Sequence, residues 1–392
     1  MNKILFSSEI QEFINSNING DVSKLALQKN KFPNADWTLI LNQIAAKQKA
    51  KSKLPTWFNT SNIYYPSKIS VEQTSSEKTA EYKSKLVTGK KLIDLTGGFG
   101  VDDFYFSKKV THVTHCEINE ELSKIVAHNF EQLEVKNIQC IAGDSSEILK
   151  DLNQKFDWIY IDPSRRNDAK DKVFMLQDCL PNVPESLDFY FKFTNNIMIK
   201  TAPFLDISAG LSELKNVKTI QIIALENEVK ELLWILEKNY SKTIEIFTCN
   251  LTKDTAEEFA FKIGNSSISN YSLPKKYLFE PNATIMKSGG FDEITAHFEV
   301  EKLHQNSHLY TSDAFIDFPG RAFEIENSFE YNKQNMKSFL ENKKVNITTR
   351  NFPETVDNIR KKWKIKDGGN VYCFFTTNAN NAKIVLLCSK LK

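Results

Sequence analysis

The sequence predicts an α/β fold: a doubly wound parallel sheet of seven strands, with a helical region before it and compact α+β units after it. Three observations carry this. Between residues 91 and 248 short apolar runs alternate with helical segments, the mark of parallel strands joined by crossover helices. A glycine-rich turn, Thr96-Gly97-Gly98-Phe99-Gly100, follows the first run directly. The chain is 392 residues long, 41% hydrophobic and 26% charged, which is enough for two or three cores and too apolar for disorder.

Taken in order, residues 1–66 form a helical region. Apolar spacing places helices from Ser8 to about Ile14 and over 37–53, with Asn34 or Asp36 as the cap of the second. Lys47, Lys49, Lys51 and Lys53 end that helix, where cations suit its dipole. Residues 67–252 form the α/β domain. Thr74-x-x-Glu77 reads as a capping box that opens a helix. Strands are expected over 91–95, 112–118, 137–142, 156–161, 196–200 and 219–224. An amphipathic helix is expected over 227–238, and a seventh strand over 243–248. A change of pattern near Pro274 marks residues 253–320 as a linker with a smaller α+β piece. Residues 321–392 read as strand 323–326, helix 332–343, strand 345–350, helix 354–364, then strands 371–376 and 383–389 after the Gly368-Gly369 turn.

Several function classes fall away. The longest apolar runs, 197–199 and 220–225, are far below the ~20 residues of a membrane span, and the amino-terminal apolar run is too short for a signal peptide. Six cysteines without a CxxC read as free, buried thiols of a cytoplasmic protein. There is no HExxH, and His112-x-x-His115 lies in an alternating stretch, so no metal site is expected. Nothing in the pattern fixes an oligomeric state. The overall charge of +2 conceals an asymmetry. From Tyr331 onward thirteen Lys/Arg face four Asp/Glu, a balance of +9, which leaves −7 on the preceding 330 residues. A basic tail on a mildly acidic body suggests a nucleic-acid partner; a lysine-rich solvated face is the plainer alternative.

The glycine turn narrows the ligand. A dinucleotide fingerprint counted from Gly98 and Gly100 needs glycine at position 103, which is Asp103, preceded by Asp102. Two carboxylates at a helix amino terminus would repel a pyrophosphate. S-adenosylmethionine has no phosphate and carries a cation, and it suits the turn better. Asp94 and Thr96 lead into the turn. Glu117 ends the second strand 23 residues after Asp94, where an acid accepts both ribose hydroxyls. Ile118 would lie on the adenine face, and Asp144 with Ser145, after the third strand, would meet the adenine amino group.

Residues 90–200 resemble the Rossmann-like class I S-adenosylmethionine-dependent methyltransferases. Asp-Leu-Thr-Gly-Gly-Phe-Gly-Val-Asp is also similar to the loop of a bacterial small-subunit rRNA guanine-N2 methyltransferase. Across the whole chain the resemblance is to a bacterial group with a carboxy-terminal THUMP-like domain. It is carried by VEQTSSEKTA at 71–80, the glycine turn, Asp162-Pro163-Ser164-Arg165-Arg166, Glu280-Pro281-Asn282-Ala283 and Phe318-Pro319-Gly320-Arg321. The resemblance implies a methyltransferase domain, a small ferredoxin-like insert and a THUMP-like module; THUMP domains proper bind RNA.

It also implies a reaction centre at Asp162, Pro163 and Ser164, after the fourth strand. Amino-methylating relatives usually have Asp/Asn-Pro-Pro-aromatic there, the acid and a carbonyl accepting from the target amine while the aromatic stacks on the base. Here Ser164 and Arg165 replace proline and aromatic, and Arg165 and Arg166 are candidates for stacking on a base or holding a phosphate. Uracil-C5 methyltransferases, with a similar motif, need a cysteine after the next strand; this chain has Lys200-Thr201-Ala202-Pro203. Cys179 precedes that strand and reads as a packed thiol, so nitrogen is the favoured acceptor, with Lys200 or Asp206 as weaker substrate contacts. In the tail, Arg350, Arg360, Lys361 and Lys364 are expected to bind RNA phosphates, because Lys361/Lys364 and Lys362/Lys366 would crowd one another on a helix around a core Trp363. The leading reading is an N-methyltransferase acting on a base of tRNA or rRNA. The others are a small-molecule or protein methyltransferase, and a non-catalytic RNA-binding protein on the same fold.

Overall fold

The computed structural model describes residues 3–165, 175–264 and 268–392. It divides into two compact units, one of residues 1–218 with 232–242, the other of residues 219–231 with 243–392.

The first unit opens with helices Ser8–Ser16, Val22–Ala26, Trp37–Lys53 and Pro55–Asn59. Asp36 caps the third, accepting from the N–H groups of Thr38 and Leu39 at 2.9 and 3.2 Å. One face of Trp37–Lys53 buries Ile40 and Ile44 with Leu5, Ile10 and Ile14. Its last turns, with Leu54 and Trp57, pack on Phe99 and Phe104 behind the glycine turn. The helix ahead of the sheet is Glu77–Ser84, and its cap is Ser76, which accepts from Thr79 N–H at 3.2 Å. The expected Thr74–Glu77 capping box does not form: Thr74 ends the preceding helix, Lys68–Gln73. Glu77 turns inward instead, accepting from Thr56 and Tyr105.

The sheet strands are β1 (Lys91–Asp94), β2 (His112–Glu117), β3 (Ile138–Ala142), β4 (Trp158–Ile161), β5 (Asn196–Thr201), β6 (Val217–Leu225) and β7 (Glu228–Glu237). In the first unit β1 pairs in parallel with β2 and β4, β2 with β3, and β4 with β5. β7 runs antiparallel to β5, from Thr201↔Leu232 to Asn196↔Glu237. The chain winds outward in both directions from the β1/β4 boundary, so the crevice at their carboxyl ends is where ligands bind in such sheets.

β7 replaces the helix expected over 227–238. Its apolar residues, Leu232 to Leu236, are consecutive and all buried, a pattern that suits an interior strand as well as a buried helix. The turn before it decides the matter. Glu226 and Asn227 both have positive φ, 51° and 63°, the backbone of a two-residue hairpin whose twist matches its strands. The strand expected at 243–248 is Glu245–Leu251, and it belongs to the second unit, parallel to β6 and antiparallel to Ala256–Lys262.

The rest of the second unit is one seven-stranded sheet. Its order is Glu301–Lys302, Tyr310–Ser312, Tyr277–Pro281, Gly320–Glu330, Lys383–Lys390, Val371–Thr377, Asn346–Arg350. Helices Lys333–Phe339 and Val356–Trp363 cover the tail half, burying Met336, Ile359 and Trp363 against Phe375 and Val385. Every tail element expected from the sequence is present. No helix among the described residues is long and apolar enough to cross a membrane.

Candidate active site

The glycine turn is built from β1 outward. Asp94 is buried, and its Oδ1 accepts from Thr96 twice, from the N–H at 2.7 Å and the hydroxyl at 3.1 Å. The Thr96 hydroxyl oxygen in turn accepts the Asp162 N–H at 2.7 Å. One threonine thus ties the turn after β1 to the residue after β4. Gly97 donates to the Cys116 carbonyl at 2.8 Å, and a Cβ there would lie 2.1 Å from the His115 ring. Gly98 has φ +54°, and a Cβ on it would meet only the Thr96 carbonyl at 3.7 Å, so the turn is open on that side. Gly100, at φ +76°, opens the helix Val101–Phe106.

Glu117 faces this opening. Its Oε2 accepts from Gly98 N–H at 3.0 Å and its Oε1 from Asn119 N–H at 2.8 Å. A carboxylate oxygen offers two lone-pair sites, so each keeps one for a further donor. Ile118 beside it is 76% exposed. Asp144 caps the helix Ser145–Leu152 through Oδ1, accepting from Ser146 and Glu147 at 2.9 and 3.1 Å.

Asp102 and Asp103 do not present charge to a ligand. Both are buried beneath the turn. Asp102 is held by the fully buried Lys83 at 3.2 Å and accepts from Ser75 and Tyr160 at 2.9 and 2.8 Å. Burial opposes its ionisation, yet the Lys83 and Lys200 charges and these hydroxyls keep its carboxyl below the usual range. Asp103 Oδ2 lies 2.6 Å from His115 Nδ1. Burial, then the Asp102 charge, pushes Asp103 well up; burial, then the Asp103 charge, does the same to Asp94; and burial lowers His115. The repulsion expected between these acids and a pyrophosphate is therefore absent. Lys83, Ser75 and Tyr160 were not legible as site residues; the clue is a lysine in the helix ahead of the sheet, Glu77–Ser84, against an acid pair after the turn.

At the end of β4, Asp162 is partly exposed and its Oδ2 is 2.5 Å from Lys200 Nζ. The register explains the pair: Ile161 sits beside Ile199, so the next residues of two parallel strands stand together. Pro163 is buried and Ser164 exposed, the latter paired with Leu180. The Arg165 side chain and all of Arg166 lie outside the described residues. Cys179 is fully buried, with Sγ 3.7 Å from the Met175 carbonyl oxygen, as expected of a packed thiol.

The tail cations lie in the second unit and are only partly available. Arg350 binds Glu280 at 3.0 Å, Arg360 binds Asp367 at 2.5 Å, and Lys362 binds Glu354 at 3.1 Å. The expected crowding does not arise. The helix ends at Trp363, Lys364 turns left-handed at φ 55°, and residue 366 is no longer a helical neighbour of 362. Trp363 is a core residue, 7% exposed, donating to Tyr331. Lys361 is exposed and, like Lys364, has no ion pair among the described residues.

Three family models match: one described as conserved hypothetical protein 95 over residues 62–180, a ferredoxin-like domain over 277–319 and a THUMP domain-like family over 320–390. A crystal structure described as a "putative methyltransferase from Porphyromonas gingivalis W83" is 30% identical, with a TM-score of 0.87 over 100% of this chain and 99% of that one. Mycoplasma capricolum TrmK, solved with S-adenosyl-homocysteine, is 18% identical over 41% of this chain and 68% of its own, with a TM-score of 0.32. The M. jannaschii tRNA m1G37 methyltransferase is 13% identical over 43% and 51%, at 0.31. These last two likenesses are too slight to carry an argument. No match is found among curated proteins.

Proposed function

Since the chain belongs to the methyltransferase family of the Porphyromonas gingivalis protein, with its class I fold and THUMP-like tail, we propose that it is an S-adenosylmethionine-dependent N-methyltransferase acting on a base of tRNA or rRNA. The observation that carries this is the double tether of the glycine turn. Gly98 is bonded to Glu117 on one side, and Thr96 to Asp162 on the other. A carboxylate suited to ribose hydroxyls, and the backbone of the residue whose carboxylate suits an amine, are thereby fixed on two sides of one open loop.

The residues fit the cofactor. Gly98 leaves the turn open, Glu117 keeps one acceptor site on each oxygen, and exposed Ile118 offers an apolar face for a ring. The bound cofactor would supply a methyl group on a sulfonium, already activated for transfer. The chain's own part is positioning. Asp162 accepts from the target amine and holds its lone pair in line. Lys200 fixes the Asp162 rotamer until the amine donates to it. Six free thiols, five of them buried, suit a reducing cytoplasm.

Calorimetry with S-adenosylmethionine and NAD tests the cofactor, and tighter NAD binding would sink the class. Nucleoside mass spectrometry of RNA from a strain lacking the gene tests the substrate, and should show one methylated base missing. A second reading, a small-molecule or protein methyltransferase, is favoured by the internal pairing of Arg350, Arg360 and Lys362. An unchanged nucleoside profile would promote it.

A further inference from the structure

Two stretches that carry the family resemblance, Glu280-Pro281-Asn282-Ala283 and Phe318-Pro319-Gly320-Arg321, have no place in the methyl-transfer site. They lie in the second unit, on adjacent antiparallel strands, with Glu280 opposite Arg321 and Pro281 opposite Gly320. The approach is close enough that a Cβ on Gly320 would stand 2.2 Å from the Glu280 carbonyl oxygen. Beside them opens a cavity of about 590 Å³, lined wholly by residues of this unit. That is a size typical of small-molecule sites.

Its wall holds a charged triad. Glu280, 4% exposed, accepts from Arg321 Nε at 2.6 Å through one oxygen and from Arg350 Nη2 at 3.0 Å through the other. One guanidinium would neutralise the carboxylate; the second leaves the triad with a net positive charge. Each arginine turns Nε and Nη2 to Glu280. Of five N–H groups, three on each remain directed elsewhere. The two side chains are 38% and 32% exposed, so those edges are within reach of a ligand. A planar fork of this kind matches phosphate oxygens. Pro281 and Met286 supply an apolar wall in the same cavity.

We infer that this cavity is a nucleotide subsite for RNA, in which Arg321 and Arg350 hold one phosphate while Pro281 and Met286 lie against the attached base. The inference rests on the RNA reading above and adds a location to it. It gives Arg350, expected from the sequence as an RNA contact, a partner and a pocket, and it adds a contact apart from the exposed helix Val356–Trp363.

The test uses the full chain and a 5′-phosphorylated dodecaribonucleotide, with adenosine monophosphate and inorganic phosphate as separate probes. The variant Glu280→Gln/Arg321→Gln/Arg350→Gln keeps hydrogen-bonding groups at all three positions and removes their charge. A second variant, Met286→Trp, fills the cavity and leaves the triad intact. Both should retain the wild-type circular dichroism and S-adenosylmethionine affinity yet bind the oligonucleotide about tenfold more weakly, the triple variant also with a salt slope reduced by about 0.7. If a variant fails to fold, the other decides. Oligonucleotide affinity and slope equal to wild type in a folded variant overturn the subsite and leave the RNA reading standing. Wild-type binding of the monophosphate without any of the oligonucleotide overturns both, marking a free-nucleotide site instead.

Discussion

Beneath the glycine turn, three acids and a lysine are taken out of water; in the basic tail, five cations of one short stretch stay near the surface. Both regions look like charge runs in the sequence, and they behave in opposite ways. Asp94, Asp102 and Asp103 lose their charge to burial or give it to Lys83, and what remains is a rigid support for Gly97 and Gly98. Arg360 and Lys362 find single acids in the same short segment, Asp367 and Glu354, the Lys362 side chain staying half exposed and that of Arg360 one-fifth exposed. Charge in a sequence is thus no guide to charge offered to a ligand; burial decides.

The largest effect should come from the buried pair. Lys83→Met takes the paired cation from buried Asp102, leaving it the Ser75 and Tyr160 hydroxyls and the Lys200 charge, and should cost the first unit about 3–5 kcal/mol. The double variant Lys83→Met/Asp102→Asn should recover much of it. Urea unfolding measures both, and a loss below about 1 kcal/mol for the single change would mean the pair behaves like a surface one.

Next come the two carboxylates tethered to the turn. Asp162→Ala should lower methyl transfer ~10²-fold with nearly normal cofactor affinity. Glu117→Ala should do the reverse, weakening S-adenosylmethionine by roughly 1.5–3 kcal/mol in calorimetry. If the two variants exchange phenotypes, the roles of Glu117 and Asp162 have been assigned the wrong way round.

Much of this was legible beforehand because parallel strands read as short apolar runs, and all seven expected strands lie within two or three residues of their expected bounds. The failures have one cause. Over 227–238 five consecutive apolar residues fit helix and strand alike, and the hairpin backbone at Glu226-Asn227 has no glycine to announce it. Thr74 and Ser76 both precede Glu77 at cap-like spacing, and only the fold shows that Glu77 is needed by Thr56 and Tyr105 rather than by a cap. Asp162 and Glu117 could be placed because they follow strands; Lys83 and Lys200 depend on contacts between elements, which spacing does not encode.

A pH series sharpens the contrast from the buried side. Asp94 and Asp103 hold protons in the fold at pH values where the unfolded chain has released them, from about 4 upward. Their contribution is complete below that value and is lost as pH rises through their folded values. His115, lowered by burial, acts oppositely, costing stability as pH falls below about 6.5. Asp103→Asn keeps the shape and removes one titration, so stability between pH 4 and 8 should fall less with rising pH than in the wild type. Equal slopes in denaturant titrations would show that Asp103 is an ordinary carboxylate.

The smallest expected effect lies in the tail helix. Arg360 already has Asp367, so Arg360→Gln removes an internal pair and adds little to phosphate binding. Lys361 and Lys364 have no such acid among the described residues, and they stand on opposite sides of the helix end at Trp363. If both reach RNA, Lys361→Gln/Lys364→Gln should flatten the log–log salt dependence by about 1.4–1.8, since each lost phosphate contact removes roughly 0.7–0.9. Adding Arg360→Gln should then change the slope by much less than a third such step. Cofactor affinity should stay at the wild-type value, because that pocket lies in the other unit. Filter-binding titrations from low to moderate salt separate the cases. A full third step on adding Arg360→Gln would mean that RNA displaces Asp367, and no change in any variant would leave the helix a solvated face.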